Sequence, residues 1–257
     1  MISKNQIKHL QALHSKKNRE KSGLFIVEGV KLVTEFIESQ CFEVQEIFAL
    51  PDYIHQHLKT LDCYQVRHNE ITDSELQKIS LLSTPNQVLA VVKQIEYSLD
   101  IKLLNESTTL FLDDVRDPGN LGTIIRIADW FGIKQVICSP NCAELYNPKT
   151  LQATMGAILR VRMTISEFSE LRHHLKNKPI YGAVLNGKNI YVEKLQKGLI
   201  IIGNEANGIS ESVMNYVSHP ITIPPASENG SESLNAANAC AIICSEFHRQ
   251  LNYSISH

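Results

Sequence analysis

The sequence predicts an α/β protein of two domains, each a mostly parallel sheet covered by helices on both faces. Three observations carry this. Short apolar, strand-like runs alternate with amphipathic helical stretches along most of the chain, the pattern of repeated strand–helix units. The alternation breaks once, at residues 94–108, a polar and weakly periodic stretch that separates a first domain, 1–94, from a second, 109–257. The chain has 257 residues, 43% of them hydrophobic and 20% charged, enough for two cores. None of its apolar runs approaches the roughly 18 residues needed to span a bilayer. The first residues have no apolar core or small-residue cleavage site of a secretory signal, so the expected compartment is the cytoplasm. There the six cysteines are expected as thiols.

In the first domain, strands are predicted at 23–27, 44–50, 64–66 and 88–93, with helices at 30–39, 53–60 and 73–82. In the second, strands are predicted at 109–115, 135–139, 161–165, 180–185, 199–203 and 221–225. Helices are expected at 120–131, 148–158 and 166–177, and a terminal helix starting near Glu232.

Charge is unevenly spread. Residues 1–22 hold Lys4, Lys8, Lys16, Lys17, Arg19 and Lys21 against Glu20 alone, a net of +5 that leaves −7 on the remainder of a chain whose total is −2. A basic arm on an acidic body suits a phosphate backbone, and Lys16, Lys17, Arg19 and Lys21 are the candidate RNA contacts. A solvated amphipathic helix with Ile7, Leu10 and Leu13 facing inward accounts for the same residues.

In open α/β sheets ligands bind beyond the carboxyl ends of the strands. Three loops in such positions combine glycine with amides, hydroxyls and carboxylates: 116–126 after the strand at 109–115, 204–210 after that at 199–203, and 226–235 after that at 221–225. Glycine lets backbone approach a ligand closely, and the polar side chains supply hydrogen bonds. Singly, each has a plainer explanation: a turn at Pro118-Gly119 with Asn120 as cap, an ion pair of Arg126 with Asp129, a cap at 231–233 for the last helix. Two C-x-x-x-C pairs, Cys138/Cys142 and Cys240/Cys244, raise zinc. The second pair lies in an apolar run and reads as buried small residues, and no metal is expected.

The three loops resemble, in order, the three motifs of the SpoU (TrmH-type) branch of the SPOUT RNA methyltransferases. The first is carried by Asn120, Gly122 and Arg126, the second by Gly203, Asn204, Glu205, Gly208, Ile209 and Ser210, and the third by Ile223, Pro224, Glu232, Ser233, Leu234 and Asn235. The link between Ile223-Pro224 and Glu232 is longer than the common family pattern, so contacts at 227–231 are not carried over. The N-terminal segment from Lys17 to Ser39 is similar to the opening of the L30e-like substrate-binding domain of ribosomal RNA 2′-O-methyltransferases.

The resemblance implies an L30e-like α/β domain followed by a SPOUT α/β domain with a deep trefoil knot, S-adenosylmethionine as cofactor, and a homodimer. It places Arg126, Asn120, Glu205, Ser233 and Asn235 at catalytic positions, and Gly203, Asn204, Gly208, Ile223 and Leu234 at the cofactor. The implied activity is methylation of a ribose 2′-hydroxyl, on ribosomal RNA (23S) ahead of tRNA. A non-catalytic RNA-binding factor of ribosome assembly is the alternative from another class. Arginine is a poor proton acceptor, which favours Arg126 as phosphate clamp over simple general base. Membrane association is not implied.

Overall fold

The structure is a computed structural model that describes residues 2–227 and 232–253. In chain order the first elements are α1 (Lys4–Ala12), α2 (Lys16–Ser22), β1 (Leu24–Glu28), α3 (Val30–Ser39), β2 (Val44–Ala49), α4 (Pro51–Cys63), β3 (His68–Glu70), α5 (Asp73–Ile79) and β4 (Val88–Lys93). They are followed by α6 (Ile101–Glu106), β5 (Thr109–Leu112), α7 (Pro118–Trp130), β6 (Gln135–Cys138), α8 (Pro148–Thr154), β7 (Arg162–Ile165) and α9 (Phe168–Leu171). The chain closes with β8 (Ile180–Asn189), β9 (Leu199–Ile202), α10 (Glu211–Met214), β10 (His219–Thr222) and α11 (Ala236–Asn252). Two compact units result: Met1–Ile95 with Tyr146–Leu159, and Glu96–Leu145 with Arg160–His257.

In the first unit the sheet order is β1-β4-β2-β3. It is mixed rather than mostly parallel, because β4 lies between β1 and β2 and runs antiparallel to both. The arm folds onto this unit. Ser3 and Gln6 close a capping box at the start of α1, and Leu10 and Leu13 are buried against Ile26, Phe48, Leu76, Ile79, Leu89 and Val91, with Ile7 half-buried beside them. Tyr146 completes an aromatic cluster, its ring 4.4 Å from that of Phe25 and its hydroxyl donating to the Ile95 carbonyl at 2.7 Å. Thus 146–159, contiguous in sequence with the second domain, packs with the first unit.

The six strands of the second unit are all parallel, in the order β10-β8-β9-β5-β6-β7. Strands β5, β6 and β9 are buried at every position, as expected where helices cover both faces. From β5 the chain adds β6 and β7 on one side and then returns to the other, so the strand order reverses between β5 and β9. That point is where an open α/β sheet leaves a crevice for ligand.

Several elements depart from the sequence reading. Tyr64 and Gln65 close α4, Gln65 in the left-handed region at φ 52°, so β3 is the polar edge segment 68–70 and not 64–66. The polar link contains α6, capped by Asp100. The helix expected over 148–158 stops at Met155, φ 49°, and that over 166–177 gives way after Leu171 to a 3₁₀ turn. The last helix begins at Ala236 because Asn235, not a residue near 232, supplies the cap: its Oδ1 accepts the Ala237 and Asn238 N–H groups at 2.9 and 3.2 Å.

Candidate active site

The site is built at the reversal between β5 and β9. These strands pair Leu112 with Ile202, so both end on one rung, and Asp113 N–H extends the ladder to the Ile202 carbonyl at 2.9 Å. The loops that follow therefore leave the sheet side by side. Asp113, 5% exposed, accepts the Ser210 N–H at 2.7 Å and ties the end of the second loop to the start of the first.

The second loop is a tight excursion. Asn204 and Gly208 exchange two backbone bonds of 2.9 Å, and Gly208 takes φ +69°. A Cβ on Gly203 would lie 2.3–2.5 Å from the backbone of Gly208 and Ile209, so only glycine lets the loop fold back on itself. Asn204, expected at the cofactor, is engaged elsewhere. Its Oδ1 accepts the Ala206 and Asn207 N–H groups, and its amide donates to the Asp114 carbonyl at 2.7 Å, which makes it the fastener between loops.

Glu205 projects from this excursion to the first loop. Its Oε1 accepts from Asn120 Nδ2 at 2.9 Å and, at 3.4 Å, from the Asp117 N–H. Asn120 Oδ1 in turn accepts from Asn235 Nδ2 at 2.9 Å. The three motifs, spread over more than a hundred residues, thus converge through a chain of donors running one way, from the free N–H groups of α11 through two amides to a carboxylate. Asp117 caps α7 by accepting the Asn120 N–H at 2.7 Å, which fixes the backbone under Asn120.

Arg126 lies on the outward face of α7 in a shallow depression with Thr123, Ile127, Trp130 and Phe131. It does not join the amide chain, and no described residue pairs with it; Asp129, its expected partner, is held instead by Arg160 at 2.8 Å. Ser233 and Leu234 are exposed just before α11, Leu234 at 49%, and Ile223 is half-buried beyond β10. Lys16, Lys17 and Lys21 are exposed on α2, Lys16 beside Glu20. Arg19 is not available to RNA. It is 2% exposed, and its guanidinium donates to the Leu13 and His14 carbonyls at 2.9 and 2.8 Å, closing the turn between α1 and α2.

Sequence reasoning named Ser210 within the second motif but passed over Asp113, Asp114 and Arg116, groups that hold the loops in place. Two aspartates directly after an apolar strand were the available signal. Cys240 and Cys244 are buried with their sulfurs 3.8 Å apart, and the described residues contain no cluster of three metal-ligating side chains.

A parallel sheet with a polar, hydrogen-bonded site at its reversal, alongside a second unit with a mixed sheet, defines a two-unit α/β protein. The model of the SpoU rRNA Methylase family matches residues 107–245, and that of the MRM3-like substrate binding domain matches 4–90; the chain belongs to the SpoU family. It is 31% identical to the 23S rRNA (guanosine(2553)-2′-O)-methyltransferase RlmP of Bacillus subtilis over 94% of this chain and 95% of that one. It is 27% identical to the 23S rRNA (uridine(2479)-2′-O)-methyltransferase of Streptomyces viridochromogenes, over 93% and 88%. Among solved structures, a TrmH-family protein of Porphyromonas gingivalis superposes with a TM-score of 0.84 at 35% identity, covering 97% of this chain and 99% of that one. The S. viridochromogenes SpoU methyltransferase AviRb, solved with AdoMet, superposes with a TM-score of 0.84 at 23% identity over 98% and 100%, a likeness of fold.

Proposed function

We propose that this protein transfers a methyl group from S-adenosylmethionine to a ribose 2′-hydroxyl of 23S ribosomal RNA. The observation that carries this is the amide chain Asn235–Asn120–Glu205, which makes one polar surface from three separate motifs.

The residues present fit the cofactor. Leu185 at 69% and Leu234 at 49% exposure are apolar side chains left open, and Ile223 is half-buried, a chemistry suited to covering an adenosine. Gly203, where a Cβ has no room, brings main chain to the edge of the site. Gly203, Gly208, Ile223 and Leu234 would hold the cofactor, with Asn204 acting through the loop it fastens. When bound, the sulfonium supplies an activated methyl group.

The chain's own contribution is alignment and charge. Asn120 and Glu205 hold a fixed pair of polar groups toward which the ribose can be oriented, and Ser233 and Asn235 add donors at the start of α11. Arg126, whose guanidinium meets no carboxylate among the described residues, is available to grip the RNA phosphate and stabilise the developing oxyanion. The exposed lysines of α2 add sequence-independent affinity. Strand order β10-β8-β9-β5-β6-β7 supports the knotted topology of the family.

The same reading makes the protein a homodimer. On α7 and α11, Ile127, Trp130, Phe131 and Ile242 form, with Tyr191, an outward apolar face, on which Trp130 is 84% exposed. Of the small residues on α11, Ala236 and Ala237 are already buried within the protomer, so Ala239 and Ala241 are left for close approach. No described helix is long and apolar enough to cross a membrane. A 23S rRNA substrate puts the proposed site of action on ribosomes, in the cytoplasm.

The test is a map of 2′-O-methylated positions in total RNA from cells with and without the gene. A single position lost from 23S rRNA, and restored in vitro by the purified protein with S-adenosylmethionine, is the expected result. Loss confined to tRNA, or no loss, overturns the reading.

A further inference from the structure

Four carboxylates surround the loops just described: Asp113, Asp114, Asp117 and Glu205. Among the described residues that the hydrogen-bonded network joins, Arg116 is the single cation. Asp113 is buried, but Asp117 and Glu205 are exposed beside the half-buried Asp114, so an RNA backbone approaching this rim meets carboxylates that repel it unless a positive charge stands among them.

Arg116 is held as such a charge. Its Nε and Nη2 donate to the two carboxylate oxygens of Asp114 at 3.1 and 2.7 Å, a two-point contact that fixes the plane of the guanidinium. The side chain is nevertheless 67% exposed, whereas that of Asp114 is 23% exposed. Asp114 is itself held from several directions. Its N–H donates to Ser139 Oγ at 2.9 Å, and its carbonyl accepts the Asn204 amide at 2.7 Å. Its backbone sits at φ 63°, a left-handed conformation that a non-glycine residue keeps only where the surroundings enforce it. An exposed pair between free side chains would be expected to move; this one stands on a strained and over-determined base. Asp114 raises the pKa of the guanidinium, and Glu205 adds to the effect from further away.

We propose that Arg116 is a substrate-positioning residue whose outer edge, with one side pinned by Asp114, receives an RNA phosphate next to the target ribose. This rests on the RNA methyltransferase reading. It divides the work of the two arginines: Arg126 sits on the outward face of α7, while Arg116 stands at the carboxylate rim and offsets its charge.

The test compares Arg116→Gln and Arg116→Lys with the wild type. It measures affinity for an unmodified 23S rRNA transcript between 50 and 200 mM salt, and separately affinity for S-adenosylmethionine. Arg116→Gln is expected to weaken RNA binding about tenfold and to flatten the logarithmic salt slope by about 0.7, one phosphate contact on single-stranded RNA. Cofactor affinity should stay within about twofold. Arg116→Lys should restore the slope but only part of the affinity, because an ammonium lacks the planar fork. An unchanged slope in Arg116→Gln would make the residue a mere neutraliser of Asp114 and overturn the proposal. So would a cofactor affinity that falls in step with RNA affinity, since that reports loss of the loop. Methyl transfer by the wild type to the same transcript is scored alongside, so failure of the enzymatic reading is seen separately.

Discussion

Replacing Asn120 by aspartate inverts one link of the amide chain. The side chain keeps its shape, but the atom that donates to Glu205 Oε1 at 2.9 Å becomes a carboxylate oxygen. The hydrogen bond lost is one to a charged acceptor, worth about 1.5–3 kcal/mol. In its place two like charges face each other at about 4 Å, which costs about 1 kcal/mol under water-like screening and about 4 at an effective dielectric of 20. Glu205 is exposed, so the lower figure applies, and a combined penalty of about 2.5–4 kcal/mol is expected. Expressed in the transition state, that is a fall of two to three decades in single-turnover methyl transfer, on the order of 10²–10³. Helix α7 should stay formed, because its start is secured by Asp117 accepting the Asn120 backbone N–H, which the substitution keeps, so thermal unfolding should register no more than the same lost bond and repulsion. Asn120→Ala removes the bond without adding repulsion and should be milder by about a decade. Single-turnover kinetics on 23S rRNA, paired with thermal unfolding, measures both quantities. A rate for Asn120→Asp within about threefold of wild type would refute the reasoning.

Arg126→Ala should lower methyl transfer by about 10²–10³ while leaving unfolding within about 0.5 kcal/mol, since no ion pair is lost; equal losses in rate and stability would contradict the assignment. Neutralising Lys16, Lys17 and Lys21 together should flatten the salt dependence of RNA binding with little change in stability, whereas Arg19→Gln should destabilise the first unit because it leaves the buried Leu13 carbonyl and the half-buried His14 carbonyl short of a donor; denaturant melts with salt titrations distinguish the two. Trp130→Asp should shift light scattering toward the mass of one chain at micromolar concentration, and a monomeric wild type would remove the proposed interface. The Cys142 thiol is held down to about 7, chiefly by a hydrogen bond from Cys138, so its alkylation by a small reagent should rise through a midpoint near pH 7. The depressed value also means that this thiolate favours the folded state above pH 7 and that the contribution is lost as pH falls below it; a midpoint near 9 would remove both inferences.

What the sequence discloses follows the physics of each element. Helix α3 is found at its true limits because a glycine precedes it and a left-handed Gln40 ends it, with Val33, Phe36 and Ile37 at helical spacing. Strands β5 and β9 are legible as unbroken apolar runs. Strand β3, by contrast, is His-Asn-Glu on a sheet edge, without an apolar signal, while Tyr64 and Val66 nearby imitate one. Residues named by motif, such as Asn120, Glu205 and Asn235, are legible as chemistry but not as partners, since their pairing depends on β5 and β9 ending on the same rung. Arg19 was misread for a related reason: charge counting along an arm cannot see that one guanidinium turns inward to unpaired carbonyls. The link between Pro224 and Glu232 is longer than the family pattern, and residues 228–231 within it lie outside the described residues.

That link joins two anchors set independently. Thr222 at the end of β10 is fastened by its hydroxyl to the Leu185 carbonyl at 3.0 Å, and Asn235 at the head of α11 by its amide to Asn120. Each anchor is held by its own bond, to β8 at one end and to the first loop at the other. Ile223 and Leu234 each stand one residue from an anchor, so the two apolar contacts proposed for the cofactor are positioned by bonds to different elements rather than by the link that joins them.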